Sequence, residues 1–211
     1  MRRAGLIVFG VLLLDQLVKI WIKTHMFLGE QIHIADWFLI HFTENNGMAF
    51  GLELGGKGGK IFLSVFRIIA SMGIGWYLLH LIKTKAHAGI VTSFSLIFAG
   101  AIGNILDSAF YGLLFSDSMT GVSAFLPVGG GYAPFLHGRV VDMLYFPLIN
   151  GQFPEWLPIW GGDYFQFFRP IFNIADSSIT IGVILFIIFQ KKFTTHTVVP
   201  STQEETHADP I

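Results

Sequence analysis

An apolar run of 19 residues near the C-terminus, 171–189, most constrains what this chain can fold into. A helix of that length spans about 28 Å, close to the thickness of the hydrocarbon core of a bilayer. The run contains Asp176, and a carboxylate inside a membrane helix costs about 2.5–3.5 kcal/mol on insertion scales. A cost of that size indicates a functional role for Asp176, which we place five residues, or about 8 Å, below the start of the predicted helix.

The composition is that of an integral membrane protein. Hydrophobic residues make up 53% of the chain and charged residues only 13%, roughly half the charged fraction of a soluble domain. The net charge of −1 argues against a nucleic-acid partner. The chain has no cysteine, which excludes a thiol nucleophile and thiolate metal ligands.

Four apolar runs reach spanning length: 4–22, 61–82, 88–106 (with an extension to 114 left open) and 171–189. We interpret the first as a retained span rather than a cleaved signal peptide, because it carries Asp15 and Lys19 and lacks a small-x-small cleavage site. Six basic residues flank the four runs on one side of the membrane: Arg2, Arg3, Lys83, Lys85, Lys191 and Lys192. The positive-inside rule therefore predicts cytoplasmic termini and two long outer loops.

The expected fold class is an all-α membrane protein with four transmembrane helices, a small β-cradle and a long loop on the outer, periplasmic face. Alternating patches at 31–34 and 37–42 predict short strands in the first loop. The second loop, 113–169, is rich in aromatic residues typical of a membrane interface. We expect one integral-membrane domain, 1–192, and a disordered cytoplasmic tail, 193–211.

With this topology, the polar residues of all four spans lie at one depth, in the outer half of the membrane. They are Asp15, Lys19, Arg67, Asn104, Asp107, Asn173 and Asp176. Residues that serve helix packing alone have no reason to share a depth. The pattern therefore predicts one site that opens to the outer face.

Asp142, which lies between apolar residues in the second loop, is the best partner for Asp176. Two carboxylates in a low-dielectric site share one proton. The charged member then takes a proton from water while the neutral member polarises a carbonyl, which is peptide hydrolysis without a metal or cofactor. Neither a His-Glu-x-x-His helix nor a Gly-x-Ser-x-Gly elbow is present.

Other interpretations stay open at this point. Intramembrane acids also suit a small proton- or ion-coupled carrier. A carrier should have charged residues through the full depth of the membrane, and here those within the spans lie in the outer half, which favours the peptidase. Asp176 has a structural alternative, an ion pair with Arg67 or Arg169. Asp15 and Lys19 are spaced i,i+4, so they can simply pair on one helix face.

Five ordered motifs resemble those of the lipoprotein signal peptidase (signal peptidase II) family. They are Asp15-Gln16 with Lys19, Asn46-Gly-Met-Ala-Phe50, Gly100-Ala-Ile-Gly-Asn-Ile-Leu-Asp107, Gly138-Arg-Val-Val-Asp142 and Phe172-Asn-Ile-Ala-Asp176. The resemblance implies an aspartic endopeptidase of the bacterial inner membrane. It implies that the enzyme removes signal peptides from diacylglyceryl-modified prolipoproteins by cutting before the lipidated cysteine. We expect a monomer whose other contacts are with membrane lipids.

The resemblance also implies roles for particular residues. Asp142 and Asp176 match the catalytic pair. The supporting and substrate-binding candidates are Asn46, Asn104, Arg139, Asn173, Asp15 and Lys19. The chain departs from the family pattern at Ser108, where an arginine is usual, and in a longer second loop around 116–134. We expect Arg139 to supply the missing positive charge.

Overall fold

The computed structural model describes residues 1–46, 56–167 and 169–194. Within these residues, three helices are long and apolar enough to cross a membrane: 2–25, 59–83 and 88–114. We label them α1 (Arg2–His25), α2 (Gly56–Lys83) and α3 (Ala88–Leu106). Beyond Leu106, α3 continues through a π-helical turn and a last helical turn to residue 114, so the extension left open by the sequence is confirmed.

The fourth predicted span begins three residues later than expected. The last helix, α4, runs from Ile174 to Thr194. Its apolar part, Ile174–Ile188, is shorter than the three apolar helices named above. The residues before it, Ile171–Phe172, form a short strand instead, because Asn173 caps the helix: the Asp176 N–H donates to the Asn173 side-chain oxygen at 2.9 Å. Our placement of Asp176 five residues into a helix is therefore wrong, since it lies in the first turn.

Two predicted segments lie outside the described residues. They are most of the motif at 46–50, of which the structure describes Asn46 alone, and most of the tail predicted to be disordered, of which residues 195–211 fall outside. The first two residues of that predicted tail belong to α4.

Segments from the two long loops form one antiparallel sheet. The predicted strands of the first loop are confirmed as β1 (Gln31–Ala35) and β2 (Phe38–Asn45). The second loop supplies β3 (Val140–Tyr145) and the short strand noted above, which we number β6 after a separate hairpin, β4 (Ile149–Gln152) and β5 (Tyr164–Phe167). The sheet order is β1-β2-β3-β6, which places the Asp142 segment, expected to be a loop, at the centre of the sheet.

The sheet rests on the C-terminal ends of α1 and α3 through an apolar cluster. Its buried members are Ile22, Met26, Phe42, Tyr111, Phe115, Val141 and Met143. These residues come from α1, β2, β3 and the turns at the end of α3. The cluster therefore fixes β3, and Asp142 within it, against the helices.

Small residues let the helices approach closely beneath the sheet. A Cβ atom on Gly100 would lie 2.2 Å from the backbone oxygen of Ala175, and one on Gly103 would lie 2.9 Å from an Asp15 carboxylate oxygen. Close approach of this kind is typical of helix packing in membranes. It brings the start of α4 against α3 and α1.

Candidate active site

Asp176 and Asn173 form a reciprocal cap at the start of α4. The Asn173 side chain accepts from the Asp176 N–H at 2.9 Å, and the Asp176 carboxylate lies 3.4 Å from the Asn173 N–H. This is the capping-box geometry, in which two backbone donors at a helix N-terminus are satisfied together. The cap therefore orients the Asp176 carboxylate at the start of α4.

Asp142 lies on β3 and is almost fully buried, with 3% of its surface exposed. Its two carboxylate oxygens accept hydrogen bonds from Asn45 at 2.8 Å and from Asn173 at 2.7 Å. Burial, together with the nearby charge of Asp176, raises the pKa of Asp142 to about 7. A carboxyl group with that pKa can both give up and take up a proton near neutral pH.

Two asparagines connect the carboxylates. Asn104 donates to Asp176 at 2.7 Å, while its side-chain oxygen accepts from Asn173 at 3.0 Å. Asn173 in turn donates to Asp142. The structure thus joins Asp142 to Asp176 through a hydrogen-bonded chain of neutral side chains.

Beneath this chain, Lys19 is buried between two carboxylates. Its ammonium lies 2.9 Å from Asp15 and 2.8 Å from Asp107, and all three side chains have no exposed surface. Lys19 also donates to the Asn104 oxygen at 3.0 Å, and Asp15 accepts from the Ala175 N–H at 2.9 Å. Asp15 and Lys19 therefore do more than pair with each other on one face of α1. Through Asn104 and Ala175 they also contact the residues that hold Asp176.

Six of the eight predicted site residues meet in this network: Asp15, Lys19, Asn104, Asp142, Asn173 and Asp176. Asn46 instead accepts from Lys60 at 3.1 Å and is exposed. Arg139 donates to Glu44 and Asp117, at 2.7 and 2.9 Å. The structure therefore directs neither side chain to the carboxylate pair.

Sequence reasoning missed Asn45, the residue that contacts Asp142 in place of its neighbour Asn46. The signal was available, since side chains on a strand alternate between faces and β2 carries Asn45 as its last residue. Gln16 was also missed as a contact residue, although it was noted in a motif. It donates to Asp15 and Asp107 at 3.1 and 2.9 Å.

The positive charge expected from Arg139 is found on α2. Ser108 turns its hydroxyl back to the Asn104 carbonyl at 3.1 Å, within its own helix. Arg67, half-buried on α2, interacts electrostatically with both Asp176 and Asp142. It forms no direct ion pair within the described part of the chain, so its N–H donors are not committed to either carboxylate.

The geometry supports acid–base chemistry. It combines a carboxyl group whose pKa is raised to about 7, a second carboxyl group oriented by a helix cap, and amide donors that link the two. A carrier would need a continuous polar path through the membrane, whereas the described polar network lies at one end of the helices, next to the sheet.

Comparisons with known proteins agree with this arrangement. The family model described as signal peptidase (SPase) II matches residues 7–191. A protein of Porphyromonas gingivalis named lipoprotein signal peptidase is 55% identical over 187 residues, which cover 88% of this chain and 80% of the relative. A protein of the same name from Amoebophilus asiaticus is 37% identical over 188 residues, covering 85% and 75%.

A solved bacterial membrane enzyme, determined by the in meso method at 2.3 Å, superposes with a TM-score of 0.59 at 29% identity. The match covers 96% of both chains. The network around Asp142 and Asp176 is thus set in a membrane-enzyme fold, and the chain belongs to the signal peptidase II family.

Proposed function

We propose that the protein is an aspartic endopeptidase that removes signal peptides from diacylglyceryl-modified prolipoproteins by cutting before the lipidated cysteine. Family membership supports a lipoprotein signal peptidase. The observation that carries the aspartic mechanism is the hydrogen-bonded chain from Asp142 through Asn173 and Asn104 to Asp176. It links two carboxyl groups that are in different environments, one almost fully buried and the other half-buried.

In the proposed reaction, Asp142 enters protonated and Asp176 enters ionised. Asp176 takes a proton from water as the water oxygen bonds to the scissile carbonyl carbon, and Asp142 gives its proton to the carbonyl oxygen. The resulting diol collapses when Asp176 protonates the leaving nitrogen, the C–N bond breaks, and Asp142 recovers a proton from a hydroxyl group. The two residues return to their initial protonation states without a covalent intermediate.

The two roles follow from the two environments. The nearly complete burial of Asp142 disfavours its charge, so it keeps the shared proton. Asp176 has the cap and the helix N-terminus to favour its charge, and its partial exposure leaves room for a water molecule. Asn173 contacts both residues, which makes it the residue that sets their relative orientation.

In the proposed topology, α4 is a fourth span, both termini are cytoplasmic, and the sheet lies on the outer face. The substrate's signal helix enters sideways between the spans while its acyl chains stay in lipid. The positive flanks at Arg2, Arg3, Lys83 and Lys85 support this orientation. We propose a monomeric enzyme of the inner membrane whose partners are these lipid-modified substrates and the surrounding lipids.

The test is cleavage of a purified prolipoprotein in liposomes, with EDTA present throughout. Mass spectrometry of the product identifies the bond that is cut, and a matched substrate without the diacylglyceryl group tests the lipid requirement. We expect one product that begins with the lipidated cysteine, and no cleavage of the unmodified substrate. Cleavage at another bond, or equal cleavage of the unmodified substrate, would contradict the proposed specificity.

A further inference from the structure

A second group of buried charges lies on the other side of strand β2 from the active site. Lys23 of α1 and Glu44 of β2 have 0% and 1% of their side-chain surface exposed. The Lys23 ammonium contacts one oxygen of Glu44, and Arg139 donates to the other at 2.7 Å. A single buried carboxylate is thus held by two cations.

The remaining members of this group come from the long segment between α3 and β3. Ser118 donates to Glu44 at 2.8 Å, and Asp117 accepts from Arg139 at 2.9 Å. The Tyr132 ring lies 4.4 Å from the Arg139 guanidinium, and the Tyr132 hydroxyl accepts from the Arg139 N–H at 2.6 Å. We call the whole group the Glu44 cluster: Lys23, Glu44, Asp117, Ser118, Tyr132 and Arg139.

The Glu44 cluster has the properties of an anchor rather than a ligand site. Its two cations and two carboxylates balance, and each carboxylate is held by cluster partners. The Arg139 guanidinium bridges Glu44 and Asp117 through separate nitrogens, which a lysine in its place cannot do. The cluster therefore ties the long segment 115–139 to β2.

The Glu44 cluster holds the C-terminal end of β2, which is the end that contacts Asp142. Asn45 follows Glu44 directly, and its side chain donates to Asp142 at 2.8 Å. In the β2–β3 ladder, Glu44 is paired with Val141 and Asn45 with Val140. Because successive side chains on a strand point to opposite faces, holding Glu44 on one face fixes the direction of Asn45 on the other.

We propose that the Glu44 cluster makes the segment 115–139 a positioning element for the catalytic pair, by fixing the end of β2 so that Asn45 hydrogen bonds to Asp142. This inference rests on the proposed function, because it assigns the segment a role relative to Asp142. It gives a purpose to the part of the second loop that exceeds the family pattern. Glu44 and Arg139 are then positioning residues that do not touch the substrate.

The principal variant removes both buried charges together. In Lys23→Met combined with Glu44→Gln, Arg139 keeps its ion pair with Asp117, whereas Glu44→Gln alone would leave the Lys23 ammonium buried without a carboxylate partner. Asp117→Asn, at a side chain with 37% of its surface exposed, is a milder second variant that weakens the hold on Arg139. Asp163→Asn, an exposed carboxylate in a later loop, is the matched control.

The first readout is the split between kcat and KM for the lipid-modified substrate. We expect the double variant to lower kcat about 10- to 100-fold, the range for a misplaced catalytic group, with KM changed by less than about threefold. Asn45→Ala removes the hydrogen bond from Asn45 to Asp142, and it should lower kcat by a similar factor. The Asp163→Asn control should match the wild type.

The second readout needs no substrate. The titration of Asp142 is followed by the infrared carboxyl band that disappears in Asp142→Asn. The hydrogen bond from Asn45 favours the ionised form of Asp142, so its loss should move the midpoint to higher pH. The other charged groups that act on Asp142 are Asp176, Lys19 and Arg67, and the variants leave all three in place.

A midpoint that moves upward in both the double variant and Asn45→Ala supports the inference. An unchanged midpoint in the double variant, with an upward shift in Asn45→Ala, overturns it even if activity falls, because the cluster would then serve stability alone. Failure of the proposed function has a different signature, namely an inactive wild type or an active Asp142→Asn. In either case the infrared midpoint still decides whether the cluster positions Asn45.

Discussion

Replacing Lys19 by methionine tests the buried charge network most severely. Lys19 lies within 2.9 Å of both Asp15 and Asp107, and none of the three side chains is exposed. Removing the ammonium leaves two buried carboxylates facing each other without a cation. Breaking one buried ion pair in this way costs about 3–5 kcal/mol, and we expect a loss of that size because one carboxylate can take up a proton to relieve the repulsion.

In a chain of about 200 residues, each kcal/mol corresponds to about 2–4 °C in Tm. We therefore expect Lys19→Met to lower the Tm by about 6–20 °C, measured by circular dichroism in detergent. Lys83→Met, at an exposed lysine in the last turn of α2, is the matched control and should change stability by less than about 0.5 kcal/mol. Adding Asp107→Asn to Lys19→Met should recover part of the loss, because one unpaired charge is removed.

The reasoning would be refuted by a Lys19→Met protein that melts within about 2 °C of the wild type. That result would mean that the carboxylates are neutral or solvated in the folded protein. Activity gives a second check, because Lys19 also donates to the Asn104 oxygen, and Asn104 donates to Asp176. The kcat of the variant should fall more than its folded fraction does.

Three further predictions concern stability and charge near the pair. The pKa of Asp142, raised by burial to about 7, means that the folded protein binds more protons than the unfolded chain between about pH 4 and 7, so this group makes stability fall as pH rises. Asp142→Asn should therefore stabilise the fold at pH 8 by an amount on the order of 2–4 kcal/mol and have little effect at pH 4. The measurement is the free energy of unfolding at the two pH values, and equal effects at both would contradict the raised pKa of Asp142. Gly100→Ala should lower Tm and activity, because its Cβ would lie 2.2 Å from a backbone oxygen. The control, Gly73→Ala, has nothing within 4 Å of the added Cβ and should be neutral or stabilising by up to about 1 kcal/mol. Similar Tm values for the two variants would contradict the close helix packing at Gly100. Arg67→Gln should reduce kcat/KM about 10-fold or more if its uncommitted donors bind the substrate, with Arg67→Lys intermediate, and unchanged kinetics would remove Arg67 from the site.

The sequence predicted the helices well because lipid imposes a simple rule. A span must be long and apolar, so the runs at 4–22, 61–82 and 88–106 reappear as helices with extended ends. Polar residues inside such runs are costly, which is why the residues of the buried network could be selected in advance. Asp15, Lys19 and Asn104 were all identified in this way.

The failures occurred where local hydrogen bonding decides the structure. Asn173 and Asp176 carry the three-residue spacing of a capping box, yet the apolar run concealed the helix start between them. Asn46 is a site candidate through its match to the family motif, whereas the contact with Asp142 is made by Asn45, the last residue of β2. Arg139 is a site candidate through its place in the family motif Gly138–Asp142. Its partners, Glu44 and Asp117, lie 95 and 22 residues away in the chain, and only the folded structure brings them together.

The central claim, that Asp142 and Asp176 form the catalytic pair, is tested most directly by the single-turnover rate of lipoprotein cleavage. The comparison is between wild type, Asp142→Asn, Asp176→Asn and the exposed control Asp163→Asn, each shown to be folded by its Tm. We expect wild-type rates for the control and a loss of at least about 1,000-fold for each of the other two, since neither amide can transfer the required proton. A folded Asp142→Asn or Asp176→Asn protein that cleaves within about 10-fold of the wild-type rate would contradict the account.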